Sequence, residues 1–198
     1  MNDFITIDTS NPTAVKIKDT YEPYKLVSED DPILKQIMPE FDFNSDIDPK
    51  ELANRLIETL TTHNAFGLAA PQCGLPYRVF VMGAEDQYFT MFNPEIINSS
   101  QESSHLEEGC LSFPFLVLGI SRSRTITIKY QTETGEIKVF TLDGISARIA
   151  QHELDHLNGI TFQSVTKPLA LKMGLKRREK QIKQFARELV NRQHVKRV

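Results

Sequence analysis

The chain has 198 residues, 40% hydrophobic and 25% charged, with a net charge of −3. This is the size and balance of one soluble domain with a full apolar core. No apolar run approaches the ~20 residues that span a bilayer. Two cysteines, Cys73 and Cys110, are too few for a secreted disulfide scaffold. The N-terminus carries neither a basic nor an apolar signal region, so the expected setting is the cytoplasm, with both thiols reduced.

Residues 1–28 show no clear period and read as a loop-rich arm, with a short strand expected at Ala14–Ile17. Asp31-Pro32-Ile33-Leu34 has the acidic cap and first-turn proline of a short helix. Asp48-Pro49 opens a stronger helix to about His63, with Leu52, Leu56, Ile57 and Leu60 as its apolar stripe. Residues 64–75 are small and turn-rich. Strands are expected at Val79–Met82, Tyr88–Phe92, Thr125–Tyr130 and Ile137–Leu142, the last two joined by the turn Glu133-Thr134-Gly135. Asp143-Gly144 caps a helix ending at Gly159, and Pro168 starts a last helix to about Asn191. Helices flanking antiparallel strands give an α+β class. The segment 1–166 reads as the catalytic domain, and 167–198 as a basic C-terminal helix that is part of it or an appendage.

Eleven Lys/Arg against two Asp/Glu leave the segment from Lys167 onward at +9 and the remainder at −12. A solvated helix with its apolar side (Leu171, Leu175, Ile182, Phe185, Leu189) packed on the body accounts for the pattern. A docking role toward an anionic partner is the alternative.

The most informative stretch is Gln151-His152-Glu153-Leu154-Asp155-His156-Leu157-Asn158-Gly159. Histidines four apart share a helical face, where both imidazoles can reach one metal ion. Glu153 is placed to work on a water activated there. Coincidence on an amphipathic helix remains the plain alternative for so short a pattern. The motif supplies two ligands, and a three-ligand site needs another. A protease class that continues with a third histidine has Phe162 at that position here; another takes a glutamate from a following helix, and Glu179 and Glu188 lie in the basic segment. Cys110, in Glu107-Glu108-Gly109-Cys110-Leu111-Ser112, is a further candidate, beside a glycine that permits close backbone approach and a glutamate suited to anchoring a ligand. Cys73 reads as a small buried hydrophobe.

Three stretches in order, Gly67-Leu68-Ala69-Ala70-Pro71-Gln72, Glu108-Gly109-Cys110-Leu111-Ser112 and Gln151-His152-Glu153-Leu154-Asp155-His156, resemble the motifs of peptide deformylases. Asp31-Pro32-Ile33-Leu34, Phe92-Asn93-Pro94-Glu95 and Ala147-Arg148 agree, and the resemblance covers roughly residues 25–165. It implies antiparallel β-sheets around a central metal-binding helix, with a helix toward each end. It implies Cys110, His152 and His156 as ligands of one divalent ion, Fe(II) physiologically, with Zn, Ni or Co as substitutes. Glu153 becomes the proton carrier, and the Gln72 amide and Leu111 backbone N–H the oxyanion donors. The substrate is an N-formylmethionyl nascent peptide, held by Gly67, Glu108 and Gly109, with the methionine side chain near Phe66, Ile145 and Ile149. The basic helix becomes a possible ribosome contact; membrane and DNA are not expected partners. A metallopeptidase and an RNA- or ribosome-binding module with a relict site are the alternatives.

Two positions depart from the pattern. Ala65 stands where the first motif begins with glycine, and Phe113–Ile120 is more apolar than expected, reading as one more core strand or as a pocket rim for apolar residues after methionine. Arg122 offers a charge further along that stretch. Arg148 and Asp155, seven apart on one helical face, are expected to form an ion pair near the site.

Overall fold

The computed structural model of the protein describes residues 21–84 and 87–195, with side chains through residue 190. The expected strand at Ala14–Ile17 lies outside the described residues. A 3-10 turn at Pro32–Lys35 comes first, its start fixed by the Asp31 carboxylate accepting from the Ile33 N–H. Helix α1 (Pro49–Thr62) follows, capped in the same way by Asp48 on the Lys50 N–H. Then come β1 (Gly67–Ala69), a 3-10 turn at Ala70–Cys73, β2 (Val79–Ala84), β3 (Gln87–Ser99), β4 (Ser103–Gly109), β5 (Val117–Ser123), β6 (Thr125–Gln131) and β7 (Ile137–Asp143). Helices α2 (Gly144–Leu157), α3 (Phe162–Val165) and α4 (Pro168–Val195) complete the chain. Among the described residues no helix is long and apolar enough to cross a membrane.

Five strands form one antiparallel sheet in the order β1-β2-β3-β6-β7, and β4 and β5 form a separate hairpin. The larger sheet is covered on both faces. Val79 and Val81 of β2 pack with Leu52, Leu56, Ile57 and Leu60 of α1. Phe80 and Met82, pointing the other way, pack with Ala147, Ala150, Leu154 and Leu157 of α2. That is why Val79–Met82 reads as an unbroken apolar run rather than an alternation. A third cluster, Leu34, Phe113, Leu116, Leu118, Ile120 and Phe162, lies under β5.

β3 runs well beyond the expected Tyr88–Phe92. Its pairing to β6 shifts register between Phe92 and Glu95 and again between Ile96 and Asn98. At the first irregularity Asn93 takes φ +48. Its side chain replaces the interrupted ladder, accepting from the Phe41 N–H at 2.7 Å and donating to Phe41 O and to Gln131 Oε1. Asp143 does not cap α2 with its side chain; its carboxylate instead accepts from the Thr125 hydroxyl at 2.6 Å. Gly144 and Gly159, at φ +57 and +70, bound the helix. At Gly159 a side chain would also meet the Lys35 backbone, so the turn after the motif admits little else.

Helix α4 packs less fully than its apolar stripe implies. Leu171 joins the cluster under β5, whereas Leu175, Ile182, Phe185 and Leu189 stay exposed. Two of its arginines reach back to the body, Arg178 largely covered and Arg177 still exposed. Arg178 pairs with Glu29 and donates to Pro114 O, and Arg177 donates to Val117 O and pairs with Glu107.

Candidate metal and catalytic site

α2 turns its small and apolar positions, Ala147, Ala150, Leu154 and Leu157, to the sheet. The remaining face carries His152, Glu153 and His156, all buried, under the β4–β5 hairpin. The turn after β4 delivers Cys110. Its Sγ lies 3.2 Å from His156 Nε2, and the ligand atoms of Cys110, His152 and His156 all lie within 4.8 Å of one another. The set is one thiolate donor and two imidazoles that share a helix face, as a three-ligand metal site requires.

Glu108 decides the electrostatics. Its carboxylate accepts from His152 Nδ1 at 2.9 Å, from Arg122 Nε and Nη2 at 2.7 and 2.9 Å, and from Arg148 Nη1 at 2.6 Å. Burial works to raise its pKa, but the bonds from His152 and Arg122 overcome this and hold it down at about 2. With Nδ1 committed to Glu108, His152 is left to present Nε2. Burial also opposes charge on His152. Its bonds to Cys110 and Glu108 outweigh burial and raise it to about 10, a proton that a bound ion would displace. His156 is driven the other way, to about 3, by burial and then by the charges of His152 and Arg122, which leaves it neutral as a ligand must be.

Glu153 is buried, and among the described residues its Oε2 has no hydrogen-bond partner. Burial pushes the carboxyl up to about 7 against the opposing charges of His152 and Arg122. Gln72, on the turn after β1, is oriented by its own loop: Oε1 accepts from the Ala69 N–H at 2.8 Å. Its Nε2 therefore points into the site, 3.1 Å from Ser112 Oγ and 3.6 Å from Cys110 Sγ. Gly67 is packed so closely on Glu153 that an added Cβ would overlap Oε1 and lie 2.8 Å from Ile149 Cγ2. Gly109 has no such neighbour; the nearest atom to an added Cβ is Leu116 O at 3.9 Å.

These groups open into a cavity of about 480 Å³. Phe66, Gly67, Gln72, Glu108, Gly109, Cys110, Leu111, Ile145, Ile149, His152 and Glu153 line it, joined by Phe113, Phe115, Leu116 and Val117. His156 lies behind the lining, beside Cys110. The site residues named from the sequence thus converge on one cavity, although the Glu108 carboxylate is taken up by its three cationic or imidazole partners.

Two expectations need correction. Arg148 and Asp155 do not pair with each other: Arg148 bonds Glu108, and Asp155 bonds Arg122 at 2.8 Å. Arg122, the charge beyond Phe113–Ile120, is buried between Glu108 and Asp155. Phe113–Leu116 is a turn rather than strand, and β5 begins only at Val117. Arg122 as a partner of the site carried a signal that was missed. Leu118, Ile120 and Arg122 alternate on the buried face of β5, so a charge falls where an apolar residue belongs. Ser112 carried none.

The same geometry disposes of other ligand sets. Phe162, at the position of a third histidine, is 1% exposed, its ring centroid 5.8 Å from that of His152. Glu179 and Glu188 lie exposed on α4, bonded to Lys183 and Gln184.

Comparison with known proteins agrees. The profile of the family described as polypeptide deformylase matches residues 23–171. The peptide deformylase of Thermotoga neapolitana is 40% identical over 158 residues, covering 79% of this chain and 94% of its own. The crystal structure of peptide deformylase from Thermotoga maritima superposes with a TM-score of 0.71 at 37% identity, over 75% of this chain and 100% of that one. A Met-Ala-Ser-bound class I type b peptide deformylase from Acinetobacter baumannii gives 0.68 at 33%, over 72% and 98%. With motifs, fold and the clustered Cys110, His152 and His156 in agreement, the chain belongs to the polypeptide deformylase family.

Proposed function

We propose that Cys110, His152 and His156 hold one divalent metal ion, and that the cavity beside it removes the formyl group from N-formylmethionine of newly made polypeptides. The reaction is hydrolysis of a formamide: water and the formylated amine give formate and the free amine. The observation that carries this reading is the convergence of the three ligand atoms, within 4.8 Å of one another, beside a partnerless buried carboxylate oxygen of Glu153. A soft thiolate with two imidazoles suits Fe(II), Zn, Ni or Co, and Fe(II) is the physiological assignment. When bound, the ion supplies Lewis acidity and acidifies water.

The protein's own groups do the rest. Glu153, with its pKa near 7, accepts a proton from the attacking water and returns it to the leaving amine; a carrier poised near neutrality does both. As the formyl carbon becomes tetrahedral, the Gln72 Nε2 amide and the Leu111 N–H donate to its oxyanion. One such donor is worth ~2.7–4 kcal/mol of transition-state stabilisation. The Gly67 and Gly109 backbones hold the peptide, and Phe66, Ile145 and Ile149 surround the methionine side chain. Glu108 acts through its charge, holding His152 in one tautomer rather than touching substrate. The Met-Ala-Ser bound by the Acinetobacter relative is the deformylated form of such a substrate.

The direct test is formate release from formyl-Met-Ala-Ser by anaerobically prepared enzyme. Turnover supports the reading, and a metal-loaded, folded enzyme that releases none overturns it.

We place the enzyme in the cytoplasm and assign 1–166 as the catalytic domain. The basic segment that begins at Lys167 is assigned to the same folded unit, a reading supported by the bonds of Arg177 to Val117 O and of Arg178 to Pro114 O. Four of the exposed bases, Lys172, Lys176, Lys180 and Arg187, are proposed to contact ribosomal RNA, where each phosphate contact releases counterions. Reversing these four to Glu should abolish low-salt ribosome co-sedimentation. Undiminished co-sedimentation refutes the contact.

A further inference from the structure

Phe115 stands out in the cavity wall. It is a bulky residue at φ +66, a conformation that side chains of its kind rarely take. Its ring lines the cavity yet is 42% exposed at the mouth. Two contacts from α4 fix the turn that presents it. Arg178 Nε donates to Pro114 O at 2.9 Å, and the ring of Phe185, itself 47% exposed, sits 5.4 Å from that of Phe115, tilted by 48°. Gly174 lets α4 approach this closely, since an added Cβ there would overlap Leu118 Cδ2 on β5. The cavity's apolar wall therefore continues past Phe115 onto α4. Arg178 and Phe185 lie beyond residue 171, where the family match ends.

We propose that Phe115 and Phe185 form an apolar subsite for a side chain downstream of the formylated methionine. The occupant is the substrate peptide itself, because the subsite is continuous with the cavity that holds its N-terminus and rings at its mouth meet what leaves that cavity. Arg178 is a positioning residue, acting through the Pro114 carbonyl that holds Phe115 in place. The proposal rests on the deformylase reading of the cavity.

The experiment compares kcat/KM for formyl-Met-Ala-X and formyl-Met-X-Ser, with X either Ser or Phe, in the full-length metal-loaded enzyme. The wild type should prefer Phe over Ser at one of the two positions by about three- to tenfold, the scale of one aromatic contact. The preference should lie in KM, because a contact made alike in the ground and transition states leaves kcat unchanged. Phe185→Ala should remove the preference and Phe185→Leu should restore part of it. A wild type that cleaves formyl-Met-Ala-Ser but shows no preference at either position overturns the subsite. So does a Phe185→Ala enzyme that keeps the preference, or one that slows equally on every peptide. No cleavage of any peptide would instead overturn the deformylase reading.

Discussion

The Glu108 carboxylate lies 2.9 Å from His152 Nδ1 while also receiving Arg122 and Arg148. One side chain therefore orients His152, a proposed metal ligand, and closes a buried charge network. The two roles separate by substitution. Glu108→Gln keeps the shape but weakens the acceptor, and metal affinity should fall by roughly 10–100-fold, as is usual when the partner of a ligand histidine is altered. Glu108→Ala leaves two buried guanidinium groups short of a partner and should lower stability by about 3–5 kcal/mol. Metal titration and denaturant unfolding check the two. Unchanged metal affinity in Glu108→Gln would show that His152 is oriented by packing alone.

Glu153→Gln should retain the metal and the fold, because Glu153 is not among the three ligands. Turnover should drop by about 10²–10⁴-fold, the usual worth of a positioned acid-base group. A Gln variant with near-normal kcat would remove Glu153 from the chemistry.

Gly67 and Gly109 make a contrasting pair. A methyl group at Gly67 must displace the Glu153 carboxylate or Ile149, so Gly67→Ala should cost about 1–3 kcal/mol of stability by overpacking and most of the activity with it. Gly109→Ala has room in the free enzyme and should unfold at the wild-type midpoint. Its effect should appear only with peptide, as a raised KM. Matching stability losses in both would contradict this reading.

Cys73 and Cys110 should differ in reactivity. Burial pushes the Cys73 thiol up to about 12, so at pH 8 it carries almost no thiolate, which is the reactive form. Iodoacetamide should modify metal-free enzyme at Cys110 and spare Cys73, as peptide mapping would report. The same shift has a stability consequence. A folded thiol that keeps its proton to about 12 favours folding less and less once the unfolded thiol ionises, so stability falls from about pH 9 toward pH 12. Cys73→Ala should show a shallower decline across that window. Equal slopes would mean that Cys73 is not protected by burial.

Much of this was readable in the sequence, and what was not has physical causes. The helix of Pro49–Thr62 declares itself through period and cap, strands β6 and β7 through composition and the turn between them, and β2 through its apolar run. β1 is three residues of Gly-Leu-Ala, too short for any period. β4 escapes because its hairpin stands off the main sheet and most of its side chains are exposed, so no alternation develops. The pairing of His152 and His156 on one face follows from helical spacing. Cys110 needed the resemblance, since only the fold sets the hairpin turn against α2. The partners of Glu108 were least legible: Arg122 and Arg148 come from β5 and α2, and nothing local marks two distant cations as sharing one carboxylate.

A cysteine from the hairpin is proposed to complete a metal site begun by two histidines on α2. Anaerobic preparation of wild type and Cys110→Ala, with metal content and formate release from formyl-Met-Ala-Ser measured on the same samples, tests it directly. The wild type should carry one divalent ion per chain and turn over. Cys110→Ala should be folded and have lost both ion and turnover. A Cys110→Ala enzyme that keeps its metal and its activity would contradict the account.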